Sequence, residues 1–308
     1  MEKTAFVFPG QGSQHPGMGR AFYETWPETR AQFAALDEAL EVSVTDLCFR
    51  ASEDDLKQPQ NTQPAMFAAG AATYAGVVER YDVTPAFLAG HSLGQFTAQA
   101  AAQMAPASEI GTIVRRRGEC MQRVGSNAGE STMVAVLLAD PDVVESACAE
   151  HDDVGVALYN TPRQTVISGK KDPVDAVRAD IEAQCTARFR ELDVGAAFHS
   201  PVMEPAVDPI TRVMRNAQLS EAEIPIVSDV STEVYTDPDV GLRDLSRQIT
   251  SPVDWVGVVE ELRRQGVERY VEFPPAGTLT GLIERIHEEA TCITLDSPAD
   301  AEEVFGDA

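Results

Sequence analysis

The chain has 308 residues, 44% of them apolar, which is enough for one large or two moderate domains with a full core. A formal charge of −25 argues against nucleic acid as a partner, because a phosphate backbone would be repelled. The five cysteines, Cys48, Cys120, Cys148, Cys185 and Cys292, are odd in number, widely spaced and free of any Cys-x-x-Cys or Cys/His cluster, so neither a disulfide framework nor a metal site is expected. The N-terminus runs at once into an apolar strand without the pattern of a secretion signal, and no stretch approaches the roughly 20 apolar residues of a membrane span. A cytoplasmic protein is expected.

The first predicted element is the strand Thr4–Phe8, which stops at the loop Pro9-Gly10-Gln11-Gly12-Ser13-Gln14. That loop lacks the Gly-Lys-Ser/Thr ending of a phosphate-binding P-loop, and the nucleotide reading falls away. A helix is predicted from about Ala21 to Leu47 and another from Thr62 to Tyr81, with Pro64 near its first turn. The strand Ala86–Ala89 then enters Gly90-His91-Ser92-Leu93-Gly94 and continues as a helical stretch, Phe96 to Gln103. Strand, sharp turn and helix around Gly-x-Ser-x-Gly form a nucleophile elbow. The glycines let the backbone turn tightly enough to present Ser92, and the helix behind it aims free N–H groups at negative charge forming there. A further helix, Ser108 to Met121, carries Arg115, Arg116 and Arg117 in succession, pointing different ways around its axis.

A polar, glycine-bearing linker at 126–131 opens a different texture. Strands at Thr132–Ala139, Val154–Tyr159, Thr165–Ser168 and Ala187–Val194, with helices at Asp140–Glu150 and Asp172–Gln184, follow in the order strand, helix, two strands, helix, strand. This ferredoxin-like order predicts a small domain at 128–197, inserted into an α/β domain made of 1–127 and 198–308. Beyond it come a helix at Pro205–Ala217, a strand at Ile224–Ser228, a helix at Val240–Ile249, a break at Ser251-Pro252, a helix at Trp255–Gln265, a strand at Tyr270–Phe273 and a helix at Leu279–Glu289. Alternating strands and helices predict α/β layers on a largely parallel sheet. The acidic end, Ser297–Ala308, is expected to fray.

A serine nucleophile needs a base, and the histidines are His15, His91, His151, His199 and His287. His91 adjoins the serine, but neighbours in so tight a turn point apart, and it is expected to pack beneath the loop. His199 follows a strand and the small residues Gly195-Ala196-Ala197, which leave its imidazole room to approach another loop. It is the candidate base.

Phe8-Pro9-Gly10-Gln11-Gly12-Ser13-Gln14, Gly90-His91-Ser92-Leu93-Gly94, Arg117-Gly118 with Met121-Gln122, Tyr159-Asn160 followed by Gln164-Thr165-Val166-Ile167-Ser168-Gly169, Ala197-Phe198-His199-Ser200 and Pro252-Val253-Asp254-Trp255 fall in one order and spacing. With them the chain resembles the malonyl-CoA:acyl-carrier-protein transacylases from Phe6 to about His287, and it is also similar to the acyltransferases that load polyketide synthases. The resemblance implies an α/β-hydrolase-like large domain with a ferredoxin-like insert. It implies that Ser92 attacks the thioester of malonyl-CoA and that His199 moves the proton, its ring oriented by the backbone carbonyl of Gln248 instead of a carboxylate. It further implies that the backbone N–H groups of Leu93 and Gln11 hold the oxyanion.

Arg117 is implied as the clamp for the malonyl carboxylate, since a guanidinium offers a carboxylate two parallel hydrogen bonds. Phe198 resembles the malonyl-preferring members, and Met121, Met133, Asn160 and His91 fall among pocket residues of the family. No cofactor is implied, because the CoA thioester is the substrate. The acceptor is the phosphopantetheine thiol of an acyl carrier protein, in a ping-pong transfer for fatty-acid or polyketide synthesis. Carrier proteins are acidic, so Arg115, Arg116, Lys170, Lys171, Arg188 and Arg190 are candidates for a local basic patch. The chain departs from the family at Pro274-Pro275-Ala276, where Gly-Pro-Gly is usual, and at Gln95, where Glu is common. Two other readings use the same fold: a proofreading acyl hydrolase, which would have no use for a buried Arg117, and a silent carrier-docking subunit, which would not need Ser92, His199 and Gln11.

Overall fold

Along β1 (Thr4–Phe8), Phe6 and Phe8 point to one side and Ala5 and Val7 to the other, and all four are buried. A strand buried on both faces belongs inside a helix-covered parallel sheet. The computed structural model describes residues 2–306 and places β1 inside such a sheet. The chain then passes through α1 (Arg20–Thr25), α2 (Pro27–Leu40), α3 (Val44–Arg50), α4 (Glu53–Leu56) and α5 (Pro59–Tyr81) before β2 (Phe87–Gly90), α6 (Gly94–Ala101) and α7 (Ala107–Asn127).

A second sheet uses β3 (Ser131–Leu137), β4 (Val154–Thr161), β5 (Gln164–Lys170) and β6 (Arg188–Glu191), with α8 (Pro141–Ala149) and α9 (Lys171–Gln184) between them. The chain returns through a short 3₁₀ turn at Pro201–Met203 to α10 (Glu204–Asn216), β7 (Ile226–Val227), β8 (Val234–Tyr235), α11 (Pro238–Gln248), β9 (Val253–Asp254), α12 (Trp255–Arg264), β10 (Arg269–Glu272), α13 (Leu279–Ile283), β11 (Thr291–Thr294) and α14 (Pro298–Phe305).

The large sheet has the order β11-β10-β1-β2-β7-β8, parallel except for the edge strand β8. On one face Phe6 and Phe8 pack against Tyr74 of α5 and Phe273, with ring centroids 5.1 to 6.4 Å apart. On the other, Ala5 and Val7 pack with Trp255, Val258 and Leu262 of α12. Each large side chain buried this way contributes roughly 1.5 to 3 kcal/mol.

The small sheet has the order β6-β3-β5-β4-β9. Its first four strands are antiparallel neighbours in the ferredoxin-like arrangement, with α8 and α9 covering the Val134, Val136 and Ile167 face. The opposite face, Met133, Ala135, Ala157 and Val166, is buried against the large layer. The fifth strand, β9, comes from beyond residue 198 and pairs parallel with β4, Leu158 beside Val253. The small sheet is thus completed by the segment that carries Trp255, a link that element order alone does not reveal.

Several boundaries differ from expectation: α5 begins at Pro59, α7 runs on to Asn127 into the predicted linker, and β6 stops at Glu191, short of Val194. The helix predicted over Ala21–Leu47 is three, because Trp26 is extended before Pro27 and Glu41 turns left-handed at φ 51°. The last predicted helix stops at Ile283, and the strand Thr291–Thr294 follows it, parallel to β10. The pair Val234–Tyr235 adds the antiparallel edge. The acidic end is not frayed over Ser297–Phe305: Ser297 and Asp300 form a capping box, and Phe305 meets Phe6 edge to face with ring centroids 5.8 Å apart. Residues 307 and 308 lie outside the described residues.

Among the glycines of the described residues, the two of the elbow meet the closest backbone neighbours. A Cβ on Gly90 would lie 2.0 Å from the Gly94 carbonyl carbon, and one on Gly94 would lie 1.9 Å from the Phe8 oxygen. Both obstacles are backbone and cannot rotate away. Gly90→Ala is therefore expected to destabilise the fold by about 3 kcal/mol or more, read as a lowered denaturant midpoint; an unchanged midpoint would contradict this packing.

Candidate active site

β1 and β2 are adjacent and parallel, with Phe8 opposite Gly90. The loop holding Gln11 and the elbow holding Ser92 therefore leave the same end of the sheet side by side, at the carboxyl ends where α/β sheets bind ligands. Ser92 sits at the corner with φ 51°, a left-handed backbone that a non-glycine residue adopts only under tertiary constraint.

Its Oγ is 2.8 Å from His199 Nε2, and His199 Nδ1 is 2.7 Å from the backbone carbonyl of Gln248. A carbonyl only accepts, so Nδ1 carries the proton and Nε2 is free to take the serine's. His199 is itself held at φ 55° and is 4% exposed. Burial first and the Arg117 charge second push its pKa down to about 3, against the partly opposing Gln248 carbonyl. The imidazole is neutral at neutral pH, as a base must be. Among the described residues, neither the Leu93 nor the Gln11 backbone N–H has an acceptor, whereas the Ser92 N–H is taken by Asp229 Oδ2 at 2.8 Å.

Arg117, on α7, is 1% exposed. Nη1 donates to Gln63 Oε1 at 2.8 Å and Nη2 to Gln248 Oε1 at 3.0 Å, while Nη2 stands 3.4 Å from Ser92 Oγ. The guanidinium lies over the Phe96 ring at 5.3 Å, and its Nε has no partner among the described residues. Burial lowers its pKa to about 10, which still leaves it charged. Its hydrogen-bond partners are neutral, so a buried cation stands beside the nucleophile with no carboxylate bonded to it. Gln63 Nε2 continues to Gln11 Oε1 at 3.0 Å, tying the first loop to the arginine.

Phe198, Met121 and Met133 line the cavity of about 60 Å³ above Ser92, together with Leu158, Leu192 and Val194. His91 lines it too, and does not simply pack beneath the loop: its Nε2 donates to Asn160 Oδ1 of β4 at 2.9 Å, fastening the elbow to the small sheet. Larger clefts of about 440 and 620 Å³, beside Tyr74 and between α10 and α11, contain no serine–histidine pair. Gln95, on α6, accepts the Gly90 N–H and donates to the Val227 carbonyl, bracing the strand that leads to the serine. Glu272 accepts the N–H groups of Thr278, Leu279 and Thr280 beyond Pro274-Pro275-Ala276, and Ser13 donates to Thr278.

Sequence reasoning missed Gln63, Asp229 and the side chain of Gln248. Gln63 had one available signal, a polar side chain inside the apolar run of α5, where it is fully buried. Asp229 had none, because one acid after a short strand reads as a turn residue.

Two outcomes follow for an uncharged fluorophosphonate that labels serine. His199→Ala is expected to slow labelling of Ser92 roughly 10²- to 10⁴-fold. Because the base is already neutral well below pH 7, the wild-type rate should stay level from about pH 8 to about pH 5 and fall only as pH approaches about 3. A midpoint near the ordinary histidine value that persists when Asp229, whose carboxyl burial raises to about 7, is replaced by Asn would contradict the burial argument.

Known proteins resemble this chain along nearly its whole length. The acyl transferase domain family matches residues 5–305. The malonyl CoA-acyl carrier protein transacylase of Bacillus subtilis (strain 168) is 33% identical, over 97% of this chain and 95% of that protein. Among solved structures, the malonyl-CoA:acyl carrier protein transacylase FabD of Xanthomonas oryzae superposes with a TM-score of 0.94 at 34% identity, covering 100% of this chain and 98% of the other. A malonyl-transacylase, PlMCAT, solved with its type II polyketide-synthase acyl carrier protein AntF, gives 0.94 at 28% identity over 99% of this chain and 100% of that one. The chain belongs to the acyl transferase family, and within it to the malonyl-CoA:acyl-carrier-protein transacylases.

Proposed function

We propose that the chain moves malonyl from malonyl-CoA to the phosphopantetheine thiol of an acyl carrier protein through a malonyl ester on Ser92. The observation that carries this reading is Arg117: a buried guanidinium beside the nucleophile, bonded to amides and to no carboxylate. A site for uncharged acyl groups has no use for such a charge, which burial makes costly to keep.

Ser92 Oγ attacks the thioester carbonyl while His199 Nε2 takes its proton. The Leu93 and Gln11 N–H groups receive the oxyanion, each donor worth about 3 to 4 kcal/mol in comparable enzymes. Collapse breaks the C–S bond, and the CoA thiolate recovers the proton from His199. The carrier thiol then repeats these steps in reverse. The apolar wall of Phe198, Met121, Met133, Leu158, Leu192 and Val194 keeps water from the ester. The transfer as written needs no cofactor beyond the thioester substrate.

For carrier docking the six candidate cations separate. Arg115 and Arg116 pair with Glu119, Lys170 with Asp153, and Lys171 with Asp175. Arg188 and Arg190 are exposed on the edge strand β6, where Arg190 sits opposite Ala135 and two residues before the cavity residue Leu192. These two are the proposed contact for an acidic carrier. The cytoplasm is the proposed site of action: among the described residues no helix is long and apolar enough to cross a membrane, and the five cysteines are free thiols, as in reducing compartments.

Intact-mass analysis tests the reading. Malonyl-CoA should add one malonyl group to the wild type and none to Ser92→Ala, and holo carrier protein should discharge it; discharge to water alone would favour the hydrolase. Arg117→Ala should cut kcat/KM for malonyl-CoA at least about 10²-fold, the loss of roughly 3 kcal/mol of charge-assisted bonding, while acetyl-CoA loses less. Reversing Arg188 and Arg190 to Glu should raise the KM for the carrier several-fold and leave malonyl loading unaffected; an unmoved carrier KM would exclude that pair.

A further inference from the structure

A buried carboxylate stands inside this site with no task in the transfer as written. Asp229 follows β7, is 1% exposed, and is surrounded by uncharged donors. Its Oδ2 accepts the Ser92 backbone N–H at 2.8 Å, and its two oxygens accept Gln248 Nε2 at 3.0 and 2.9 Å. The other end of that carboxamide, Oε1, accepts Arg117 Nη2 at 3.0 Å. Two opposite charges therefore share one buried site with a single amide between them. The empty site is close to neutral; an acyl carboxylate arriving at Arg117 would leave it with a surplus negative charge in a low dielectric.

We propose that Asp229 tunes specificity for the acyl carboxylate: it competes with the incoming carboxylate for the field of Arg117 and takes up a proton when that carboxylate binds. The inference rests on the malonyl-transfer reading, because only an acyl group with a free carboxylate brings that charge.

The surroundings leave Asp229 as the group able to respond. Burial raises its carboxyl to about 7, against the lowering effects of the Gln248 amide, the Ser92 N–H and Arg117. Tyr235 on β8 is held neutral by burial. Asp244 on α11 stays ionised despite burial, because Arg243, Ser231 and Ser228 bond to it. His199 is neutral and remains so well below pH 7. When a second carboxylate engages Arg117, Asp229 loses part of that cation's help and gains a negative neighbour, and both changes raise its proton affinity further. The proton comes from solvent, one O–H bond forms, and the proton returns when the acyl group leaves.

The sign is definite. Below about pH 7 Asp229 is already protonated and malonyl binding is unopposed; above it, binding must draw in a proton, and affinity falls by up to about tenfold per pH unit. The experiment compares KM for malonyl-CoA with KM for acetyl-CoA from about pH 6 to about pH 9, the acetyl thioester cancelling the titration of the CoA phosphates. In the wild type the malonyl-to-acetyl ratio should rise with pH. In D229N, which keeps an oxygen for the Ser92 N–H and removes the charge, it should be flat, with malonyl KM below the wild-type value at the alkaline end. A readout independent of any change at Asp229 is calorimetry of malonyl-CoA binding to Ser92→Ala in buffers of different ionisation heat. Near pH 7 to 8 it should count a fraction of one proton taken up, and none with acetyl-CoA. A pH-invariant ratio in the wild type, or no proton uptake, overturns the proposal; absence of a malonyl adduct at every pH overturns the malonyl reading instead.

Discussion

Gln248 holds four groups of the site in one arrangement. Its backbone carbonyl takes His199 Nδ1, its side-chain oxygen takes Arg117, and its side-chain nitrogen donates to the Ser92 carbonyl and to Asp229. The residue is fully buried, so its amide cannot exchange these partners for water and has one satisfactory orientation. A carboxylate in its place would form an ion pair with Arg117, fill the position meant for a ligand and repel Asp229. An apolar side chain would leave the guanidinium and the carboxylate without bonded partners. The neutral, two-ended amide keeps Arg117 oriented and charged while leaving its bonding to a carboxylate for the substrate.

That arrangement depends on parallel neighbouring strands. β1 and β2 deliver Gln11 and Ser92 to the same end of the sheet, and β7 beside β2 delivers Asp229 there as well. The small sheet is fastened to this end twice, by the His91–Asn160 hydrogen bond and by β9. β9 runs directly into Trp255, which packs on the His91 ring at 5.7 Å and in the core beneath β1. Cavity walls from the small sheet, Met133, Leu158 and Leu192, are therefore positioned by bonds that belong to the catalytic layer. Such a pocket wall has little freedom to drift relative to the serine.

Much of this was legible in the sequence, for reasons that differ by residue. The elbow reads directly because its glycines answer a backbone requirement no other residue meets. Ferredoxin-like order reads because period and punctuation alternate clearly between 131 and 191. Arg117 reads as functional only through the family resemblance, since three successive arginines look alike until packing buries one of them. What stayed hidden depends on contacts across long sequence separation. Gln63 meets Arg117 across 54 residues and Asp229 meets Ser92 across 137, and nothing local marks either. The C-terminal helix differs from expectation for a related reason: its acidic composition suggests fraying, but its stability comes from the Ser297 cap and from Phe305 reaching Phe6.

The depressed basicity of His199 bears on how the site chooses its substrate. A general base works best with a pKa near the working pH, and His199 lies far below it, first through burial and then through the Arg117 charge. In the proposed transfer a malonyl carboxylate on Arg117 would cancel the second cause and leave the first. The malonyl group would thereby strengthen its own base in that transfer, whereas an acetyl group would leave the imidazole facing a cation with no carboxylate bonded to it. The imidazolium that forms as Ser92 loses its proton is more sensitive to this than the neutral ring, so part of the discrimination is expressed in the transition state and not in binding. Proton uptake at Asp229 limits the same effect from the other side, because it stops the pocket from accumulating two negative charges around one arginine. In the proposed transfer, Arg117, Gln248 and Asp229 would make the basicity of His199 depend on the charge of the acyl group.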